Sequence, residues 1–279
     1  MISRFYLIPF FSFLLCSCQN QENHSENEMP LNLPQVVNTY STQNVGSAKF
    51  LSGKVHNVVI FIASKHFEKE QQDEQLGYLL EAQNYLQKEA KRYGKNVTFT
   101  NSYIGYEGEP LIIKEIESGH GTGQERVDWV SFILEQLDTT PLEFYKTIIK
   151  EQKVDHVFVT IIANQPGRAY SFAYEPTFDK EKYFLEGCIQ YTSFENGQKN
   201  CAASYAHEIL HLFGACDLYQ TFQTSEKQEQ LARKWYPKDI MLATSYDINS
   251  RMIDSLTAYL VGLHNNYNPF FDQFEPIKN

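Results

Sequence analysis

The sequence lacks a surplus of positive charge. Its 279 residues include 24 Lys and Arg against 34 Asp and Glu, which gives a formal net charge of -10 at pH 7. Proteins that bind nucleic acid generally need a basic surface that neutralises phosphates. The acidic balance therefore excludes a general nucleic-acid binder, and it indicates nothing about the substrate.

The N-terminus also lacks an apolar run long enough to cross a membrane. The stretch from Phe5 to Leu15 is mostly apolar, and Arg4 lies just before it. A spanning helix needs about 20 apolar residues, whereas a positive charge followed by a short apolar stretch is typical of an export signal. We therefore interpret residues 1–17 as a signal peptide and not as part of the fold.

The end of this segment, Leu15-Cys16-Ser17-Cys18, resembles a bacterial lipobox. The resemblance implies cleavage before Cys18 and lipid attachment to it, whereas Cys16 fits less well because the bulky Leu15 precedes it. Several acyl chains on one residue anchor a protein stably, and Gln19 in place of Asp implies transport to the outer membrane in such lipoproteins. We expect an exported bacterial protein with a lipid anchor in that membrane, facing the periplasm or the outside. An ordinary secretory signal is the alternative.

Composition divides the rest of the chain into a tether and a folded part. Residues 18–49 are rich in Asn, Gln, Glu and Ser and have few large apolar side chains, which is typical of a flexible tether. After it, apolar and β-branched runs predict strands over 58–63, 96–104 and 154–163, and, nearer a sheet edge, over 167–174 and 183–194. Apolar residues at helical spacing predict helices over 70–93, 125–137, 142–152, 200–213 and 255–264, the last capped by Asp254.

These elements predict an α+β fold for residues 50–279, with an α/β-like N-terminal half. We expect residues 50–214 to form an upper subdomain, in which a twisted mixed sheet and helices lie above the helix over 200–213. Residues 215–279 are expected to form a lower subdomain of helix and loop. A substrate would then lie in the cleft between the two halves.

One run of residues indicates metal chemistry. Residues 207–217 read HEILHLFGACD, which fits the pattern HExxHxxGxxD. Residues four apart lie on one face of a helix, so His207 and His211 can bind one metal ion, while Glu208 reaches a water on that metal. Gly214 can end the helix in a left-handed turn, which would bring Asp217 back as a third ligand. Three protein ligands leave a position open for water, as in catalytic zinc sites.

This segment resembles the signature of metzincin zinc proteases, HExxHxxGxxH/D followed by a methionine-containing turn. Asp217 takes the place of the third histidine that most such enzymes have, and Gly214–Tyr219 is similar to the GxxDxY of immune-inhibitor-A-like bacterial proteases. Asp239-Ile240-Met241 resembles the Met-turn, which would place Met241 beneath the metal. The resemblance covers residues 207–241. It implies a metzincin-like fold, a bound Zn²⁺ ion and a protein or peptide substrate.

Several other residues are candidates for the same site. Tyr246 follows the Met-turn and could donate a hydrogen bond to the transition state, as a tyrosine near that turn does in some relatives, and Tyr219 is its rival. Cys216 is an alternative third ligand because a thiolate binds zinc well. Glu226 and Glu229 are further alternatives, since they lie on a predicted helix after the motif.

The three cysteines that remain after Cys16 and Cys18 are set aside allow at most one disulfide and one free thiol. Cys188 with Cys201 is the preferred pair because the two flank the run into the motif helix. Cys201 with Cys216 is the alternative.

Taken together, the sequence predicts a monomeric, lipid-anchored, zinc-dependent endopeptidase with Glu208 as general base. Glu208 would take a proton from the attacking water and pass it to the leaving amine. An edge strand of the sheet would bind the peptide in extended form. The alternative is a non-catalytic, surface-anchored, zinc-containing binding protein, which has no use for the Glu208 carboxylate.

Overall fold

The described part of the chain begins after the predicted signal and most of the tether. A computed structural model describes residues 45–114, 116 and 126–276. The predicted signal peptide, the lipid attachment at Cys18 and the tether up to residue 44 lie outside these residues. Among the described helices, none has the length and the apolar character that crossing a membrane requires.

A six-stranded sheet forms the centre of the fold. Its strands are β1 (Gly53–Ala63), β2 (Val97–Ile104), β3 (Leu111–Ile112), β4 (His156–Pro166), β5 (Tyr170–Phe172) and β6 (Gly187–Ser193). The order across the sheet is β2-β1-β4-β6-β5, and β3 pairs with the last residues of β1. All pairs are parallel except that of β5 with β6.

The two central strands explain why the sheet forms. β1 and β4 pair over eight residues with Val58 opposite Val159, and nearly all their side chains are buried on both faces. A parallel strand that is covered on both faces reads as a continuous apolar run. The predicted strands over 58–63 and 154–163 therefore form the middle of the sheet.

Helices cover both faces of the sheet. They are α1 (Lys69–Arg92), α2 (Trp129–Glu135), α3 (Pro141–Gln152), α4 (Lys180–Tyr183), α5 (Ala202–Leu212), α6 (Glu226–Trp235) and α7 (Ser255–Leu260), with 3-10 turns at Ile248–Ser250 and Pro269–Phe274. One apolar core contains α1, α5 and the C-terminal segments, and a second contains α2 and α3 on the opposite face. The predicted α+β class is confirmed.

The region before the motif differs from its prediction. Residues 180–183 form α4, the strand predicted over 183–194 shortens to β6, and β6 lies second from the edge, between β4 and β5. A side chain at Gly187 would lie 2.8 Å from the carbonyl oxygen of Val159 and 2.7 Å from the ring of Phe172. The absence of a side chain at Gly187 thus allows β4 and β5 to approach β6 closely from either side. The moderate apolarity of residues 183–194 did not indicate this packing. The strand predicted over 167–174 shortens to β5, which does form the edge.

The predicted disulfide is wrong. Cys188, Cys201 and Cys216 are all free thiols. Cys188 lies inside the sheet with its sulfur 3.9 Å from the Thr160 hydroxyl, whereas the Cys201 sulfur lies 3.8 Å from the carbonyl oxygen of Ser245. The two thiols therefore face different neighbours, although both flank the approach to α5.

Candidate metal centre

Contacts with the sheet and with α1 hold the first turns of helix α5, which precede the predicted ligands. All its residues except His211 are buried. Its small alanine side chains allow the helix to pack closely against the core, and Tyr205 donates a hydrogen bond of 2.9 Å to Gln75 on α1. Gln190 on β6 donates to the carbonyl oxygen of Ser204 at 3.3 Å. The sheet and α1 together thus fix the position of the motif.

The three predicted ligands come together at the end of this helix. Oδ1 of Asp217 lies 3.0 Å from Nε2 of His207 and 3.2 Å from Nε2 of His211, and the two Nε2 atoms lie 3.2 Å apart. Among the described residues, this is the one cluster of three or more His, Cys, Asp or Glu side chains with ligand atoms this close. The ligand atoms therefore form a nearly equilateral triangle.

Backbone carbonyls orient both imidazoles. Nδ1 of His207 lies 3.1 Å from the oxygen of Ile240, and Nδ1 of His211 lies 2.8 Å from the oxygen of Ala215. A carbonyl can only accept a hydrogen bond, so each Nδ1 carries the proton in the neutral ring. The Nε2 lone pairs then point at one another and at Asp217, as they do in metal sites whose histidines are oriented by a second layer of hydrogen bonds.

A glycine turn brings Asp217 back to the helix. Gly214 has φ +102, a value that L side chains rarely adopt, and it follows directly on the last turn of α5. Thr224 donates to the carbonyl oxygen of Asp217 at 2.9 Å, and Leu218 donates to the oxygen of Met241 at 3.0 Å. These contacts fix the backbone around the third ligand. Its Oδ1 atom is buried, and the polar atoms that face it are Nε2 of His207 and Nε2 of His211.

The triangle has the dimensions of a metal site. A tetrahedral metal ion with nitrogen and oxygen ligands at about 2.0–2.1 Å places neighbouring ligand atoms roughly 3.3 Å apart. The observed separations of 3.0 to 3.2 Å are close to that value. A buried carboxylate is costly unless a metal cation or a protonated neighbour balances its charge. The residues present therefore fit a metal ion.

The electrostatics of the centre favour positive charge. Burial lowers the pKa of the His211 imidazole, but the charge and hydrogen bond of Asp217, the charge of Glu208 and the Ala215 carbonyl together outweigh burial and raise that pKa to about 9. Burial in turn raises the pKa of the Asp217 carboxyl, and the two imidazoles outweigh it and hold that pKa well below its ordinary value. A metal ion bound between these groups would take the place of the proton.

Glu208 lies beside the triangle and is not part of it. Its side chain is buried, and its Oε2 atom accepts a hydrogen bond of 2.7 Å from the hydroxyl of Ser171 on β5. The sequence predicted the position of Glu208 from helical periodicity. It did not indicate Ser171, which is 37 residues away along the chain.

The predicted Met-turn lies against the same helix. Met241 is fully buried, and its N–H donates to the Asp239 carboxylate at 2.8 Å. The other oxygen of that carboxylate accepts a bond of 2.9 Å from the N–H of Asp254, which caps α7 as predicted. Because the Ile240 carbonyl accepts a hydrogen bond from His207, the turn connects this buried carboxylate to a predicted metal ligand.

The two candidate tyrosines lie in different places. The ring of Tyr219 stacks on His207 at 6.0 Å between centroids, and its hydroxyl lies 3.5 Å from a guanidinium nitrogen of Arg168. Tyr246 is 62% exposed and donates to the carbonyl oxygen of Lys199 at 3.1 Å. The sequence did not indicate Arg168, because one arginine in a loop between strands carries no spacing signal.

The alternative third ligands lie outside the triangle. Burial, followed by the charge of Asp217, raises the pKa of the Cys216 thiol to about 12, so this residue remains a neutral thiol at ordinary pH. Glu229 pairs with Arg233 on α6 at 2.5 Å, and Glu226 is exposed on the same helix. None of the three belongs to the cluster of ligand atoms.

A cavity of about 550 Å³ is related to the centre through Arg168 and has none of the three predicted ligands in its lining. Arg168, which contacts Tyr219, forms part of its lining. Other lining residues come from the loop after β6, the start of α5 and the segment after the Met-turn, and include Phe194, Cys201, Thr244, Ser245 and Tyr246. The cavity is large enough to hold a side chain of a bound molecule.

Comparison with known proteins gives distant likeness in structure. No protein-family model matches the chain, and no curated protein sequence matches it. The fold is similar to the crystal structure of metalloproteinase-II from Bacteroides fragilis, with a TM-score of 0.40 and 13% sequence identity. The alignment covers 81% of this chain and 55% of that protein, so the chain spans about half the length of its neighbour. A likeness this distant does not assign an activity.

Proposed function

We propose that this protein is a zinc-dependent endopeptidase with Glu208 as its general base. The observation that supports the proposal is the triangle of His207, His211 and Asp217, whose ligand atoms lie 3.0 to 3.2 Å apart beside the buried Glu208 carboxylate. Two nitrogens and one oxygen are ligands that zinc takes in catalytic sites, where water occupies the fourth position.

Each residue then has a distinct role. His207, His211 and Asp217 would hold the ion, which when bound lowers the pKa of water and polarises a substrate carbonyl. Glu208 accepts the proton of the attacking water and donates it to the leaving amine. Tyr219, held beside His207 by stacking, and Tyr246 at the cavity are the two candidates to donate a hydrogen bond to the developing oxyanion.

The edge of the sheet is a suitable place for the peptide. β5 is the outermost strand next to β6, and Ser171 in that strand contacts the general base. A peptide added in extended form alongside β5 would place a scissile bond near Glu208. The neighbouring cavity, with Arg168 in its lining, would take one substrate side chain.

The test is a casein digest by the soluble domain with zinc, with a chelator, and with zinc restored. We expect cleavage that the chelator abolishes and that zinc restores. Glu208→Ala should keep one zinc per chain and lose at least about a hundredfold in rate, because general-base catalysis contributes roughly 10²–10⁴. Glu226→Ala, which changes an exposed glutamate on α6, is the matched control and should cleave normally.

Two outcomes would contradict the proposal. Undiminished cleavage by Glu208→Ala would show that Glu208 is not the general base. Stoichiometric zinc with no cleavage of casein or of a peptide library would favour the zinc-containing binding protein. Zinc content also identifies the third ligand. Asp217→Ala should lose the metal, whereas Cys216→Ser should keep it.

We also propose that lipid on Cys18 anchors the domain in the outer membrane of a bacterium, facing the periplasm or the outside, and that the protein acts as a monomer. The lipobox-like residues before Cys18 and Gln19 after it support this placement. Growth of a bacterial host with a labelled fatty acid should label the wild-type chain but not Cys18→Ser. Equal labelling of the two would contradict the anchor.

A further inference from the structure

Ser171 is the point at which the sheet edge meets the general base. It is the middle residue of the three-residue strand β5. Side chains alternate along a strand, and its neighbours Tyr170 and Phe172 pack into the apolar core on the α2 and α3 face. Ser171 therefore points to the opposite face, where it reaches α5.

The Ser171 hydroxyl lies within hydrogen-bond distance of two acceptor atoms of Glu208. Its oxygen lies 2.7 Å from Oε2 of Glu208 and 2.8 Å from the backbone oxygen of Glu208. A hydroxyl has a single proton to donate. The backbone oxygen of Glu208 lies inside helix α5, where the N–H four residues later serves as its donor. A carboxylate is also a stronger acceptor than a backbone carbonyl. The proton therefore goes to Oε2.

We propose that Ser171 is a positioning residue for Glu208. Its hydroxyl holds Oε2 and leaves Oε1 as the oxygen that accepts the proton of the attacking water. The same contact fixes the base relative to β5, along which the peptide would lie, so one bond sets the geometry between base and substrate. This inference rests on the proposed peptidase function.

Kinetics of three variants test the catalytic consequence. The substrate is the casein-derived peptide that the wild type cleaves fastest, in quenched-fluorescent form. We expect Ser171→Ala to lower kcat about ten- to a hundredfold with KM changed less than about twofold, because a misplaced base affects the reaction and not the binding. Ser171→Thr keeps the hydroxyl and should restore most of kcat. Ser193→Ala is the matched control. Ser193 is the last residue of β6, away from Cys188, with which Ser171 pairs, and this variant should have the kcat and KM of the wild type.

The outcomes separate positioning from general support of the fold. Retention of wild-type kcat by Ser171→Ala, a change confined to KM, or a loss that Ser171→Thr does not restore would each overturn the role. Zinc content should stay at the wild-type value in Ser171→Ala, and loss of the metal would also overturn it. If Ser171→Ala does not fold, Ser171→Cys replaces the donor with a weak one at nearly the same size and should show the same fall in kcat.

A second measurement does not depend on turnover. In metal-free protein, Ser171→Ala should lower the thermal midpoint by roughly 3 °C or more, because the Glu208 carboxylate loses a charge-assisted bond. In a Glu208→Ala background the same substitution should lower it by less than half as much. Equal shifts in both backgrounds would mean that Ser171 only ties β5 to the Glu208 carbonyl, and would overturn the proposal. Absence of cleavage by the wild type would overturn the peptidase function and not the contact.

Discussion

A buried glutamate that bonds to the first residues of the folded part should make stability fall as the pH rises. Glu186 is fully buried just before β6. Its carboxylate oxygens accept backbone hydrogen bonds from Ala48 at 2.7 Å and from Tyr174 at 2.9 Å, and its own N–H donates to Ser47 at 2.9 Å. Burial, opposed by these bonds and by the charge of Lys49, raises the pKa of Glu186 to about 8 from an ordinary 4.5.

The direction of the effect follows from where the proton resides. Between pH 4.5 and 8 the folded protein keeps the Glu186 proton and the unfolded chain does not, so unfolding releases it. The raised pKa therefore contributes stability that is complete below pH 4.5 and is lost as the pH rises through about 8. At about 1.4 kcal/mol per pH unit, the whole window corresponds to roughly 5 kcal/mol, and the part between pH 5 and 7 to about 3 kcal/mol.

The assay compares urea unfolding of the wild type and Glu186→Gln at half-unit steps from pH 5 to 8. Other buried groups titrate in both proteins, so the difference between the two free energies of unfolding isolates Glu186. Gln carries no charge, and its cost from facing two N–H donors is constant with pH. We expect the difference to shift in favour of Glu186→Gln by about 3 kcal/mol between pH 5 and 7.

The control is Glu175→Gln, because Glu175 is an exposed glutamate near the same loop. It should keep the pH dependence of the wild type. If the difference between wild type and Glu186→Gln stays constant within about 0.5 kcal/mol from pH 5 to 8, the reasoning is refuted. The two backbone bonds would then fully compensate the burial of the charge.

Two further predictions concern the support of the metal centre and the cysteines. Asp239→Asn should lower the thermal midpoint and weaken zinc binding measured by competition with a chelator, because an amide cannot accept both backbone bonds that hold the turn against His207. Asp247→Asn, at an exposed 3-10 cap where asparagine also caps, should leave both unchanged, and an equal effect of the two substitutions would contradict the role of Asp239. A reducing agent should not change the thermal midpoint of metal-free protein, because Cys188 and Cys201 are free; a fall of several degrees would indicate a bond between them.

The parts of the centre that could be predicted from the sequence are local. His207 and His211 are four residues apart on one helix, and Glu208 follows from the same periodicity. Gly214 ends the helix with positive φ, so even Asp217 depends on contacts within a short segment. The long apolar strands β1 and β4 were predictable for a similar reason, since burial on both faces leaves a continuous signal.

The parts that could not be predicted depend on residues far apart in the chain. Ser171 and Glu208 are 37 residues apart, and the Ile240 carbonyl is 33 residues from the imidazole of His207 that it orients. The strand pairing brings the first pair together, and the packing of the turn against α5 brings the second. A serine and a backbone carbonyl have no spacing that distinguishes them from many others in the chain.

The same distinction applies to the residues that the sequence left open. Tyr219 and Tyr246 both follow the motif, and the sequence offers either as a hydrogen-bond donor. The fold distinguishes them, because it places the ring of Tyr219 on His207 and the hydroxyl of Tyr246 on the carbonyl of Lys199. Cys188 and Cys201 flank the same run, yet the sheet directs one inward and the start of α5 directs the other to the loop after the Met-turn. The sequence by itself determined the helix that carries His207 and His211 and the turn that follows it, because helical periodicity and a glycine act within a few residues. Only the tertiary structure decided which distant groups orient that helix, because those contacts depend on how the strands pair and pack.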